Sequence, residues 1–273
     1  IKERNLAPSL KHPRFTFVED AIANVDLGRV LDGVTHVYHL AAQAGVRKSW
    51  GRDFRTYTTL NVDATQTLLE ACVGRPIARL VYASSSSVYG DDVELPMRED
   101  ATPHPVSPYG VTKLAAEHLC HLYYLNHQVP TVSLRYFTVY GPRQRPDMGF
   151  NRFFSAALDG RPLTQFGDGL QTRDFTFVAD AVTATAAAAV RGAPGGVYNI
   201  GGGSRVSLRD VFAMIARVSG RPLQLDLQPA QKGDMRDTYA ETSRARVDLA
   251  FAPATGLEEG LREMCGWMEA IRK

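Results

Sequence analysis

Short runs of β-branched and aliphatic residues alternate along the chain with longer stretches whose apolar positions recur at helical spacing. Segments 35–41, 78–83, 131–137 and 196–200 read as strands, and 56–73, 108–125, 150–158 and 178–190 as helices. Helices placed between strands imply right-handed crossovers and a parallel sheet. The strands are apolar at nearly every position, which fits burial on both faces. The expected fold class is α/β, a doubly wound parallel sheet.

After Gly141 the texture changes. Segment 142–175 is rich in Pro, Gly, Arg and Asp, and helices at 207–219 and 256–271 with a short strand near 223–227 predict a smaller C-terminal lobe. The division expected is a sheet domain over 1–141, joined by about 174–200, and a lobe from 142–173 and 201–273. A ligand cleft belongs between them, at the carboxyl ends of the strands.

Composition narrows the partners. The chain has 273 residues, with 31 basic and 29 acidic side chains and a net charge of +2. That balance argues against nucleic acid or an anionic membrane as partner. No apolar run approaches the roughly 20 residues of a membrane span, and Ala181–Val190 reads as a packed helix. Residues 1–5 are followed by no apolar stretch, so no signal peptide is expected. Cys72, Cys120 and Cys265 are odd in number and widely spaced, which predicts buried free thiols, a reducing cytoplasmic setting and no metal site. His36 and His39 lie three apart on one strand and read as structural.

Chemistry concentrates in two places. Tyr109 and Lys113 stand four apart at the start of a helix, so they share one face. A nearby ammonium favours phenolate and draws a tyrosine towards general-base duty. Alone, the pair is also what an ordinary helix N-terminus with an exposed lysine would show. The run Ser84-Ser85-Ser86-Ser87 at the end of the preceding strand raises its significance, because hydroxyls at a strand tip lie where ligands bind.

Ser84-Ser85-Ser86-Ser87-Val88-Tyr89-Gly90 followed by Tyr-x-x-x-Lys resembles the extended short-chain dehydrogenase/reductase family, which includes the sugar-nucleotide epimerases and dehydratases. His39 to Arg47, Asn61, Leu134 to Pro142, Phe166 to Phe175, Asn199-Ile200-Gly201 and Lys232 to Arg236 are similar to further landmarks of that family. The resemblance implies a Rossmann-like fold and NAD as cofactor. It implies Ser85, Tyr109 and Lys113 as catalytic residues. Leu40, Ala41, Ala42, Gln43, Asn61, Ala83, Tyr136 and Ile22, with Tyr109 and Lys113, would bind the cofactor. Asp20 stands one place early for the family's usual adenine contact.

Dehydratases and decarboxylases of the family carry an acidic residue just after the catalytic hydroxyl, where this chain has Ser86 and Ser87. Epimerisation is therefore favoured. Thr138 to Met148 resembles UDP-glucuronate 4-epimerases most. The resemblance implies a UDP-sugar substrate, with Arg145 clamping a uronate carboxylate beside Thr138, Ser86 and Ser87; Arg143 competes for that role. Phe166, Arg173 and Arg236 would meet the UDP end. UDP-glucose and UDP-N-acetylglucosamine are alternative substrates, 4,6-dehydration a more distant alternative, and a non-catalytic dinucleotide sensor the reading from another class. A homodimer through the helices 56–73 and 108–125 is a family expectation.

The family's Gly-rich phosphate fingerprint does not occur in this sequence; Gly201-Gly202-Gly203 follows a late strand. The first βαβ unit is expected upstream, in a segment of roughly 40 residues bearing G-x-x-G-x-x-G.

Overall fold

The computed structural model describes residues 2–272. Helix α1 (Lys2–Leu10) and the short α2 (Leu27–Val30) precede β1 (His36–His39). The chain reaches β2 (Arg79–Ser85) through α3 (Phe54–Tyr57) and α4 (Ala64–Cys72), with a π-helical stretch, Thr58–Asp63, between them. Helix α5 (Pro108–His127) crosses from β2 to β3 (Thr131–Tyr136). Next come β4 (Val139–Tyr140), α6 (Gly149–Asp159), β5 (Leu163–Phe166), β6 (Thr172–Asp174), β7 (Thr176–Phe177), α7 (Val178–Arg191) and β8 (Val197–Ile200). The remaining elements are β9 (Arg205–Ser207), α8 (Leu208–Ser219), β10 (Leu225–Gln228), α9 (Ser243–Leu249) and α10 (Leu257–Ala270).

Four strands form a parallel sheet in the order β1-β2-β3-β8. Alternate residues of β2 serve opposite layers, as the two-residue period of a strand requires. Leu80 and Tyr82 pack with Leu68, Leu69 and Cys72 of α4 and with Ala116, Cys120 and Tyr123 of α5. Val81 packs on the other side, with Ala184, Ala188 and Ala189 of α7 and Leu249 of α9. The sheet is thus doubly wound, and the alanine-rich run is a packed helix as its composition predicts. All three cysteines are buried and free. His39 is buried against Thr65, whereas His36 is exposed.

A second layer of helices, α6, α8 and α10, closes around Tyr140, Phe150, Phe154, Val211, Ile215, Leu261 and Met264. The strand expected near 223–227 is β10, which pairs in parallel with β5. Two helices lack a strong sequence signal. In α9 only Ala245 and Leu249 are buried, and α1 carries Pro8 within it. The stretch expected as one helix over 56–73 is helical throughout but widens into the π turn at its middle. Such bulges re-aim side chains. This one carries Asn61, whose Oδ1 accepts from Gln43 N (2.7 Å) and whose Nδ2 donates to Gln43 O (3.1 Å) and Thr112 Oγ1 (3.0 Å).

Candidate active site

Local sequence brings α5 to the tip of β2. Ser107 caps the helix by accepting from Gly110 N (3.1 Å), and Pro108 occupies its first turn, where a missing N–H costs nothing. Gly110 is required by close approach: a Cβ there would lie 2.3 Å from Ser87 O. Its bare backbone lets the first turn of α5 press on the serine run. Ser85 consequently lies near enough to Tyr109 to draw its phenol down, and its Oγ accepts from Ser87 N (3.1 Å).

Burial pushes the Tyr109 phenol above its ordinary value, while the Ser85 hydroxyl and the Arg145 guanidinium pull it down. Tyr57 stands edge-on to Tyr109, with ring centroids 6.2 Å apart, and donates to Gly45 O (2.6 Å). Lys113 lies one turn further along α5 and is buried, and burial lowers its ammonium to about 8. Its Nζ sits 4.4 Å from the centroid of the Tyr82 ring. The sequence predicts Lys113 as the cation acting on Tyr109; the Arg145 guanidinium also draws that phenol down. Burial, followed by the Lys113 charge, lowers His39 to about 4, so it is neutral at pH 7.

The residues expected at the cofactor gather at the carboxyl ends of neighbouring strands. Leu40 and Ala41 are exposed just past β1, with Ala42 and Gln43 half-buried beside them. The registers place His39 beside Tyr82 and Ser85 beside Tyr136, which sets Ala83 between those two pairs on β2. Tyr136 Oη shares a 2.6 Å hydrogen bond with Thr185 Oγ1. This low, largely aliphatic floor, bordered by Tyr109 and Lys113, fits the flat nicotinamide and ribose of NAD. Ile22 is half-buried and, like Leu27, Val34 and Val37, packs against the cluster formed by Leu31, Leu68 and Leu69. Asp20 accepts from Ala21 N (2.7 Å) and Asn24 Nδ2 (2.8 Å), a purely local turn.

On the lobe side, Arg145 acts on both Tyr57 and Tyr109 and forms an ion pair with Asp147 (2.9 Å). Arg143 is exposed, in a left-handed conformation (φ 69°). Ser86 is buried, Ser87 and Thr138 half-buried. Arg236 pairs with Asp168 (3.1 Å) and its main-chain N donates to Asp91 (2.7 Å). Arg173 donates to the carbonyls of Thr172, Met235 and Arg236, so its guanidinium pins that segment. Phe166 carries the Arg47 guanidinium 4.2 Å over its ring, and Arg47 pairs with Asp234 (2.6 Å). Tyr57, Tyr82 and Gly110 have no distinct sequence signal, because aromatics and a glycine at helical or strand spacing read as core. Among the described residues no group of three or more His, Cys, Asp or Glu side chains is placed to hold a metal.

A doubly wound parallel sheet with Ser, Tyr and Lys converging at the carboxyl end of a central strand defines a dinucleotide-dependent enzyme of the tyrosine–lysine type. Residues 3–201 match the model of the NAD dependent epimerase/dehydratase family. An uncharacterized UDP-glucose epimerase, YtcB, of Bacillus subtilis strain 168 is 43% identical over 274 residues, covering 99% of this chain and 86% of the relative. The UDP-glucuronate 4-epimerase of Thermodesulfobacterium geofontis is 34% identical over 262 residues, covering 94% and 80%. The crystal structure of UDP-glucuronic acid 4-epimerase from Bacillus cereus, in complex with UDP-glucuronic acid and NAD, superposes with a TM-score of 0.96 at 43% identity, covering 99% and 86%. The chain belongs to the NAD dependent epimerase/dehydratase family.

Proposed function

We propose that the protein catalyses the NAD-dependent 4-epimerisation of UDP-glucuronate to UDP-galacturonate. The observation that carries this reading is the contact of Ser85 with Tyr109 in a site whose next two residues, Ser86 and Ser87, bear no carboxylate. The likeness to the Bacillus cereus epimerase supports the substrate.

Leu40, Ala41, Ala42 and Gln43, the last braced by Asn61, hold the cofactor with Ala83, Lys113 and Tyr136. NAD, when bound, supplies the acceptor for the C4 hydride and the donor that returns it. Tyr109, as phenolate, takes the proton of the sugar 4-hydroxyl, and Ser85 hydrogen-bonds the same oxygen as it becomes a carbonyl. The 4-keto sugar turns over so that hydride would return to the opposite face of C4, and Tyr109 gives the proton back to O4, with no net redox change. Elimination of water would need an acid/base that Ser86 and Ser87 do not provide.

A 4-keto uronate is a β-keto acid and loses CO₂ when its carboxylate bond aligns with the carbonyl π system. Arg145, with hydroxyls of Ser86, Ser87 and Thr138, holds the carboxylate out of that alignment through charge-assisted bonds. Phe166 and Arg236 face the UDP end, with Arg173 bracing the segment that carries Arg236. The sheet domain comprises 1–141 and about 174–200, with α9 packed against it, and the lobe comprises 142–173 and the remainder of 201–273. Three buried free thiols support a reducing, cytoplasmic setting, and the enzyme works as a homodimer.

Purified protein supplied with NAD⁺ and separately with UDP-glucuronate, UDP-glucose and UDP-N-acetylglucosamine tests the substrate. UDP-galacturonate without CO₂ release is the expected product. Turnover of UDP-glucose but not UDP-glucuronate would overturn the assignment. Tyr109→Phe is expected to lose about 10²–10⁴-fold in kcat, and an undiminished rate would remove Tyr109 from the mechanism.

A further inference from the structure

Lys113 poses an electrostatic problem. It is 3% exposed, and burial, opposed in part by the Glu117 carboxylate, lowers its ammonium to about 8. A buried ammonium is costly unless something compensates it. Among the described residues no hydrogen bond or ion pair reaches Lys113 Nζ; its closest recorded partner is the face of Tyr82.

The surrounding groups define what that ring has to do. On β1, His39 lies with its ring centroid 5.6 Å from that of Tyr82 and is neutral, so it adds no charge at pH 7. On α5 itself, Tyr109 precedes Lys113 by one turn, and Cys120 and Glu117 follow it. Glu117 is already committed: it takes three hydrogen bonds from Arg135 of β3 and one from Ser84 of β2. Its carboxylate, shared with that guanidinium, still raises the Lys113 ammonium. The electron-rich face of Tyr82 is the feature Nζ lies against, 4.4 Å from the ring centroid and within cation–π range. The ring is 1% exposed, and its Oη donates to Lys113 O (3.4 Å), so it is anchored to the helical turn whose side chain it holds.

We propose that Tyr82 is a positioning residue that keeps Lys113 charged and in place through its π face; this rests on the reading of Lys113 as the partner of Tyr109 in the 4-epimerase. The proposal separates the ring from the hydroxyl. A phenyl ring of the same shape preserves the ammonium, an electron-poor ring releases its proton at lower pH, and an aliphatic side chain does the same while also leaving a void.

The test uses Tyr82→Phe, Tyr82 replaced by trifluorophenylalanine, and Tyr82→Leu. Two readouts are taken: the Lys113 titration by NMR of 13Cε-labelled lysine, and the basic limb of the kcat–pH profile with UDP-glucuronate. Phe is expected to keep the Lys113 midpoint near that of the unsubstituted protein. Trifluorophenylalanine, which changes the ring's electrons and hardly its volume, is expected to lower the midpoint by about one pH unit. The kinetic limb is expected to move with it. An NMR midpoint indifferent to fluorination overturns the proposal, whatever Leu does to folding. A midpoint that moves while the kinetic limb stays fixed upholds the ring's hold on the ammonium and overturns the catalytic reading of Lys113 instead. A purely structural Tyr82 would lower thermal stability in the Leu variant and leave both midpoints where they were.

Discussion

Arg145 is paired with an acidic neighbour, Asp147, at 2.9 Å and acts on the phenols of Tyr57 and of Tyr109, the proposed general base. A substrate carboxylate can take over that guanidinium with geometry that Lys would not reproduce. Arg145→Met is therefore expected to raise KM for UDP-glucuronate by about 10- to 100-fold, the worth of a charge-assisted hydrogen bond, while KM for UDP-glucose moves little. Steady-state kinetics on both sugars checks this. Equal effects on the two would make Arg145 a general electrostatic element of the site. At this scale the sequence was partly legible. Ser85, Tyr109 and Lys113 announce themselves through motif and spacing, but the choice between Arg143 and Arg145 does not. It depends on how a loop rich in Pro and Gly folds over the strand tips.

Helix α5 carries Tyr109 and Lys113, the proposed catalytic pair, and a buried ion pair helps seat it on the sheet. Glu117 and Arg135 have side chains 5–6% exposed and meet at 2.6 Å; Ser84 donates to the same carboxylate at 2.6 Å. One contact thus ties α5 to β2 and β3 beneath the site. Removing a single partner strands a buried charge, so Glu117→Gln is expected to cost about 3–5 kcal/mol of stability. Replacing both partners with apolar residues should recover most of that loss, since no charge is then left unpaired. Denaturant titration of the single and double variants checks both statements; a double variant as unstable as the single would show that packing dominates. The helix itself was legible from its periodicity, and its cap from Ser107-Pro108. The ion pair was not, because Glu117 and Arg135 look like any charged residues until crossover topology brings α5 over β3. The π turn was equally silent, since it changes no apolar spacing that the pattern can register.

Helix α5 also faces outwards. Val111, Leu122 and Leu125 are 47%, 51% and 62% exposed and fall on one stripe of the helix. The proposed homodimer covers this stripe. Sedimentation is expected to give twice the mass of the monomer. Leu122→Glu combined with Leu125→Glu should yield monomers, because two buried carboxylates per protomer would have to be desolvated. A dimer unaffected by both changes would place the interface elsewhere.

The order of the main sheet strands and their crossover helices, the doubly wound sheet, the burial of the cysteines and the candidacy of the serine, tyrosine and lysine were all determined by the sequence itself. Periodicity and local motifs encode which residues must be inside and which turns the backbone can make. Only the tertiary structure decided what surrounds those groups. It set Tyr82 under Lys113, Arg145 beside Tyr109, and Arg236 against Asp168, and it turned Arg173 inwards to carbonyl oxygens. The physical reason is that protonation state and charge pairing depend on distances between residues far apart in the chain. Those distances are fixed by the packing of layers, and no local pattern records them.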